Sequence, residues 1–130
     1  IRNAIAEIPK EKWHSGTPSH HDVLARLRNM EKIVYSVRLQ RVLDEDSPTM
    51  EMFNINQWEA VYYDPNESVE KMLNEYDEIR RHEIKILRAL TPPQWTRLGR
   101  HSIFGIRTVQ WWAERMLEHA ALQLRELRAS

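Results

Sequence analysis

The sequence predicts an all-α fold: a four-helix bundle formed by one domain spanning residues 1–130. Apolar residues recur every three to four positions in four separate stretches, the signature of helices with one buried stripe each. The 3 glycines and 6 prolines fall between those stretches, not within them. A chain of 130 residues suits one core rather than two. Four amphipathic helices bury their stripes most simply against one another.

The first stretch is Ile1, Ala4, Ile5 and Ile8, ending at Pro9, and predicts the tail of a helix that begins upstream of Ile1. Residues 10–19 hold Trp13, Gly16 and Pro18 and read as a connection. Thr17 with Pro18, or Ser19 with Asp22, then starts a long second helix within two residues of position 19. Its face runs through Val23, Leu27, Met30, Val34 and Val37, broadened by Leu24, Ile33 and Leu43, and stops between Asp44 and Pro48. Residues 49–64 contain Met50, Met52, Phe53, Trp58, Tyr62 and Tyr63 without a clean period. They predict a long crossover between helices two and three, with one short helix around Gln57.

Asp64-Pro65-Asn66-Glu67 has the order of a cap, an N1 proline and an acidic first turn, and predicts the start of helix three. That helix runs to about Leu90 along Val69, Met72, Leu73, Tyr76, Ile79, Ile86 and Leu87. Thr91-Pro92-Pro93-Gln94 stops it and caps a short turn around Trp95. A connection over Gly99 to Gly105 leads to helix four, which begins near Arg107 or Thr108 and carries Val109, Trp112, Met116, His119, Leu122 and Leu127. Trp111 and Trp112 cannot both face one core. One of them packs against the crossover or against a partner surface; together with the aromatic crossover this suits a homodimer face, and equally a layer lying over the chain's own helices.

Composition removes several functions. Lys plus Arg number 19 and Asp plus Glu number 19, so there is no basic excess to hold nucleic acid. Without cysteine there is no disulfide, thiolate nucleophile or Cys-ligated zinc. No apolar run approaches the roughly 20 residues of a membrane span, and no secretory signal is visible, so the expected location is the cytoplasm. No His-Glu-x-x-His motif and no Gly-rich phosphate loop occur.

Charged residues interrupt the apolar stripes at three places. Arg26 lies between Val23 and Met30, Glu83 between Ile79 and Ile86, and Arg115 between Trp112 and His119. Turned inward, Glu83 would pair with one or both guanidiniums, because an unpaired buried charge costs several kcal/mol. Turned to the stripe border, the arginines would instead extend to solvent. Spacing leaves both readings open. His119 is the histidine best placed as a ligand or a general base, and equally suits a bond to Glu83 or Glu118. His20 and His21, adjacent in a first turn, read as capping or exposed, His14 and His101 lie in connections, and His82 is rotated off the seam.

Several segments resemble the DinB-like family, specifically its DinB_2 branch. They are Trp13, the helix from Asp22 through Arg26 and Glu31 to Arg38, the stretch from Tyr76 to Pro92, and Thr108 to His119. The resemblance covers nearly the whole chain. It implies a four-helix bundle in which three histidines, one from helix two and two from helix four, hold a divalent ion such as zinc or nickel. The implied positions are Arg26, Arg115 and His119, so two of the three ligands are replaced by cations that have no lone pair to give.

The expectation is therefore a degenerate metal site without a cofactor, and a protein that binds a small anionic ligand or has a structural or stress-related role. The alternative is a thiol-dependent transferase, isomerase or hydrolase-like enzyme using His119, with a divalent metal as the alternative cofactor.

Overall fold

The computed structural model describes residues 1–129, the side chain of Ala129 excepted. Four helical segments make the bundle: α1 (Arg2–Ala6), a long rod built from α2 (His20–Asn29) and α3 (Ser36–Asp44), α5 (Val69–Arg88) and α7 (Val109–Ala129). The crossover helix α4 (Ile55–Tyr62), the short α6 (Pro92–Trp95) and one 3-10 turn (Lys10–Lys12) lie in the connections. The α2 helix packs on α5 and α7, while α1 and α3 pack on α7. The all-α bundle with a long crossover between its second and third helices is what the periodicity predicts.

Local chemistry sets most boundaries. Ser19 Oγ accepts the Asp22 N–H at 3.1 Å and starts α2, so Ser19 rather than Thr17 is the cap. Asn54 Oδ1 caps α4 by accepting from Gln57 N at 3.2 Å. Helix three starts later than expected: Asp64 Oδ1 accepts from Asn66 N at 2.9 Å in a local turn, and Ser68 Oγ caps α5 at Lys71 N. Glu67, assigned from sequence to that first turn, reaches across to Arg28 instead. Thr91 and Gln94 form a reciprocal cap around Pro92 and Pro93.

The rod is joined by a six-residue π-helical segment, Met30–Tyr35. Such a wide turn takes up about one extra residue and rotates everything after it. The buried face accordingly shifts to Leu39 (1% exposed) and Val42 (0%), while Val37, predicted inward, is 46% exposed. On α7, an uninterrupted helix, the buried face runs through Trp112, Met116, Gln123 and Leu127 and leaves Leu122 exposed.

The two connections read as irregular contain a three-stranded sheet. In it β1 (Thr49–Met50) pairs parallel with β2 (Leu98–His101), and β2 pairs antiparallel with β3 (Gly105–Thr108). The strands are too short to show alternation, which is why periodicity missed them. Gly105 sits at φ +75° in the hairpin turn. Gly99 on β2 is required by close approach: a Cβ there would stand 2.8 Å from Val42 Cγ2 and 3.1 Å from Trp112 Nε1.

The apolar interior is divided. One core contains Val34, Leu39, Val42, Met50, Val109, Trp112 and Met116. The other contains Ile5, Val23, Leu24, Val69, Met72, Leu73 and Leu127. Each long helix therefore passes from one core to the other, and polar side chains occupy the crossing level.

Candidate functional site

That crossing level is built by one helix at a time. The rod contributes Glu31 and Tyr35, α5 contributes Tyr76, Arg80 and Glu83, and α7 contributes His119 and Gln123. Glu31 is wholly buried (0% exposed) because it lies four residues after Leu27 and three before Val34, on the apolar face itself. Glu83 is 2% exposed on α5.

Arg80 Nη1 donates to Glu31 Oε1 at 3.2 Å. The other Glu31 oxygen and both Glu83 oxygens meet no hydrogen-bond donor, so the two buried carboxyls stand as neighbours without a second cation between them. Ionising both would place two anions side by side in a poorly hydrated interior, and Glu83 is the one that keeps its proton. Burial, reinforced by Glu31, pushes its carboxyl up to about 9. The set is then Glu31 paired with Arg80 and a neutral Glu83, which avoids two adjacent buried anions. Burial also pushes the neighbouring Tyr76 hydroxyl up to about 12.

His119 is half-buried, with its ring centroid 5.1 Å from that of Tyr35. Its Nδ1 is buried without a hydrogen-bond partner. Burial lowers its pKa more than the nearby Glu31 raises it, and Arg115 and Arg26 lower it further. The imidazole is thus neutral at neutral pH, with lone-pair capacity available to a proton or an electrophile. One turn on, Gln123 is 8% exposed and its Oε1 also lacks a partner.

The predicted ionic cluster of Arg26, Glu83 and Arg115 does not form. Arg26 turns to the crossover, where its Nε and Nη2 grip Glu59 of α4 at 3.2 and 2.8 Å. Arg115 sits one residue before the buried Met116 and so is rotated off the seam. It stacks over Phe104 and Trp111, with ring centroids 4.7 and 5.4 Å from its Cζ, and its Nη1 reaches only Glu118 at 3.4 Å. Glu83 has Glu31 and Arg80 as neighbours instead of either arginine. His119 belongs with Tyr35 and Glu31, not with Glu118. The structure thus keeps two of the four predicted residues, Glu83 and His119, at the polar level and removes the two cations.

Other histidine assignments also change. His20 and His21, expected to cap or to face solvent, are 7% and 2% exposed. The crossover returns over them: His21 Nε2 bonds the Glu67 carbonyl at 2.8 Å, Nδ1 pairs with the Tyr63 hydroxyl at 2.7 Å, and the ring stacks on His14 at 4.6 Å. His101, read as lying in a connection, is a buried strand residue. Trp111 packs on Phe104 of the hairpin rather than on the crossover.

Glu31, Tyr35, Arg80 and Gln123 were missed as site residues. Glu31 was discoverable, because it is an acid at helical spacing within an apolar stripe. Gln123 becomes visible only once the phase of α7 is known.

Fold and site together define an all-α DinB/YfiT-like bundle with a polar layer between two cores. YfiT from Bacillus subtilis, described as a probable metal-dependent hydrolase with an unusual four-helix bundle topology, superposes with a TM-score of 0.76. The identity is 18%, over 97% of this chain and 76% of that one. No protein-family model matches the chain, and no curated protein matches it.

The likeness corrects one expectation. A protein without a cofactor was expected, whereas the similar bundle is described as metal-dependent, which makes a divalent ion a candidate cofactor rather than an absent one. The three positions implied by the resemblance do not fit such an ion: Arg26 and Arg115 are cations engaged elsewhere, and only His119 offers a lone pair. Among the described residues no three His, Asp or Glu side chains stand together as a ligand set. No helix of the described residues is long and apolar enough to cross a membrane.

Proposed function

We propose that this chain is a hydrolase-like enzyme whose chemistry centres on His119. The observation that carries the reading is the unpartnered, buried Nδ1 of a neutral imidazole beside Glu31, in a bundle shaped like a probable metal-dependent hydrolase. A neutral imidazole with an anion nearby is suited to take a proton from water or another acidic nucleophile, and Glu31 then stabilises the imidazolium. Tyr35, whose ring packs on the imidazole at a tilt of 46°, limits its rotation. In a thiol-dependent transferase the same base would act on an external thiol, since the chain has no cysteine of its own.

Purified protein assayed against ester, amide and thiol-transfer substrates, with and without zinc, nickel or manganese, tests the reading. The expected result is a turnover that His119→Ala abolishes and Glu59→Gln retains. Equal turnover by His119→Ala, or none with any substrate in either metal condition, overturns it.

The homodimer expected from sequence belongs with this reading. Its support is the exposed apolar side chains Val61 and Tyr62 on α4 and Ile103 and Ile106 on the hairpin. Sedimentation equilibrium tests it, and a monomer at all concentrations removes it.

A further inference from the structure

A second polar feature lies outside the carboxyl layer, where the rod, α7 and the hairpin meet. It is a cleft of about 160 Å³ whose wall includes Tyr35, Arg38, His101 and Arg115, with Phe53 and Phe104 among its apolar residues. Two guanidiniums thus face a small space next to the buried Trp112.

Both cations are held in place by aromatic rings. The Arg38 Cζ lies 5.6 Å from the Trp112 ring centroid and the Arg115 Cζ 4.7 Å from that of Phe104. Stacking fixes the plane of a guanidinium and leaves its N–H edge free for an acceptor. Arg38 gives one hydrogen bond to a neutral group, the Glu51 carbonyl at 3.0 Å. Among the described residues it makes no ion pair, and the charged group acting on it is Arg115. Burial pushes its pKa below the usual guanidinium value. Arg38 is thus a partly buried cation without a carboxylate, beside a second cation whose one acid is the exposed Glu118 at 3.4 Å, and an incoming anion relieves that arrangement.

His101 adds a donor. Its Nδ1 accepts the backbone N–H groups of Ile103 and Phe104 at 3.0 and 3.3 Å, which places the ring proton on Nε2. Burial lowers its pKa, and Arg38 and Arg115 lower it further, so it serves as a neutral donor rather than a third cation.

We propose that this cleft is a binding site for a small organic carboxylate. Arg38 and Arg115 take the carboxylate oxygens, His101 supplies a further N–H on the same wall, and Phe53 and Phe104 cover the apolar body. The planar forks match a carboxylate, and the apolar wall favours an organic anion over a bare inorganic one. The site stands whether or not His119 acts as a base.

Titration of the ¹⁵N-labelled chain with benzoate, benzyl alcohol and inorganic phosphate, followed by NMR, tests it. Benzoate is expected to shift the Trp112 indole and the Ile103 and Phe104 amides saturably, with benzyl alcohol at least about tenfold weaker. Arg38→Gln is expected to lose at least about tenfold in benzoate affinity, while Arg81→Gln, on the exposed face of α5, leaves it unchanged. Equal binding of benzyl alcohol, retained affinity in Arg38→Gln, or tighter binding of phosphate than of benzoate overturns the proposal. The comparison of benzoate with benzyl alcohol needs no variant, so it decides even if Arg38→Gln does not fold.

Discussion

Glu83 on α5 and Glu31 on the π-helical segment are neighbouring carboxyls, and both side chains are almost completely buried. One proton is therefore part of the fold. The native state keeps Glu83 protonated up to about 9, whereas an ordinary glutamate loses its proton near 4.5. Between those values the folded chain binds a proton that the unfolded chain releases, so stability falls as pH rises through the window and levels off above it.

Glu83→Gln keeps the shape and a donor without the titration. The variant should flatten the pH dependence and stabilise the protein by on the order of 2 kcal/mol at pH 7. Urea denaturation midpoints across about pH 5 to 9 check this. An unchanged slope in the variant would mean that the proton lies elsewhere.

Gly99→Ala tests the junction between sheet and bundle. The added Cβ would meet Val42 Cγ2 at 2.8 Å, Trp112 Nε1 at 3.1 Å and Met50 Cε at 3.3 Å, and the nearest of these belongs to Val42, a short β-branched side chain that is 0% exposed. Overpacking of this kind costs about 1–3 kcal/mol. Thermal unfolding and near-ultraviolet circular dichroism should show a lower Tm and an altered Trp112 signal. An unaffected Tm would mean that β2 moves freely on the rod.

Much of this architecture is legible in the sequence because helical stripes repeat over many turns. The start of the rod, the crossover helix near Gln57 and the turn around Trp95 follow from period and caps. What escapes is phase. The wide turn at Met30–Tyr35 adds a residue that no propensity marks, so Val37 was read inward and Leu39 was passed over. The same sensitivity decides the site: Arg115 and Met116 differ by one residue, or about 100° around the helix. Arg26 was misplaced for another reason, since its acid comes from the crossover, 33 residues away in sequence.

Arg28 joins α2 to the start of α5 through Glu67 and Glu75, and is 6% exposed. Arg28→Ala should destabilise the protein by about 3 kcal/mol, because it leaves Glu67 and Glu75 with only the longer contacts to the exposed Lys71 and Lys32 and opens space in a packed region. Arg28→Lys keeps the charge but cannot reproduce the forked contact and should recover only part of that loss. The Arg28 guanidinium holds the Glu67 carboxyl below its ordinary value. This stabilisation is present above the unfolded carboxylate pKa and is lost as pH falls through the folded one. Acid unfolding of wild type and Arg28→Ala should therefore converge at low pH, and a constant difference between them would exclude the linkage.

The Arg26–Glu59 pair tests whether the crossover helix is fastened by charge or by its aromatic side chains. The contact is bidentate, with side-chain exposures of 28% for Arg26 and 10% for Glu59. Burial leaves the Glu59 carboxyl above its ordinary value even though Arg26 draws it down. Removing the cation therefore strands an acid in a poorly hydrated place, and protonation becomes its easiest relief. Arg26→Ala should speed hydrogen exchange in α4 while shifting global stability by only about 1 kcal/mol, because none of the α4 residues is fully buried. A double-mutant cycle with Glu59→Ala should return a coupling of about 1 kcal/mol. Unchanged exchange over residues 55–62 would assign the attachment of α4 to Trp58 and Tyr62, whose rings lie 5.0 Å apart. Arg26 would then be a surface ion pair with no part in holding the crossover over the polar layer.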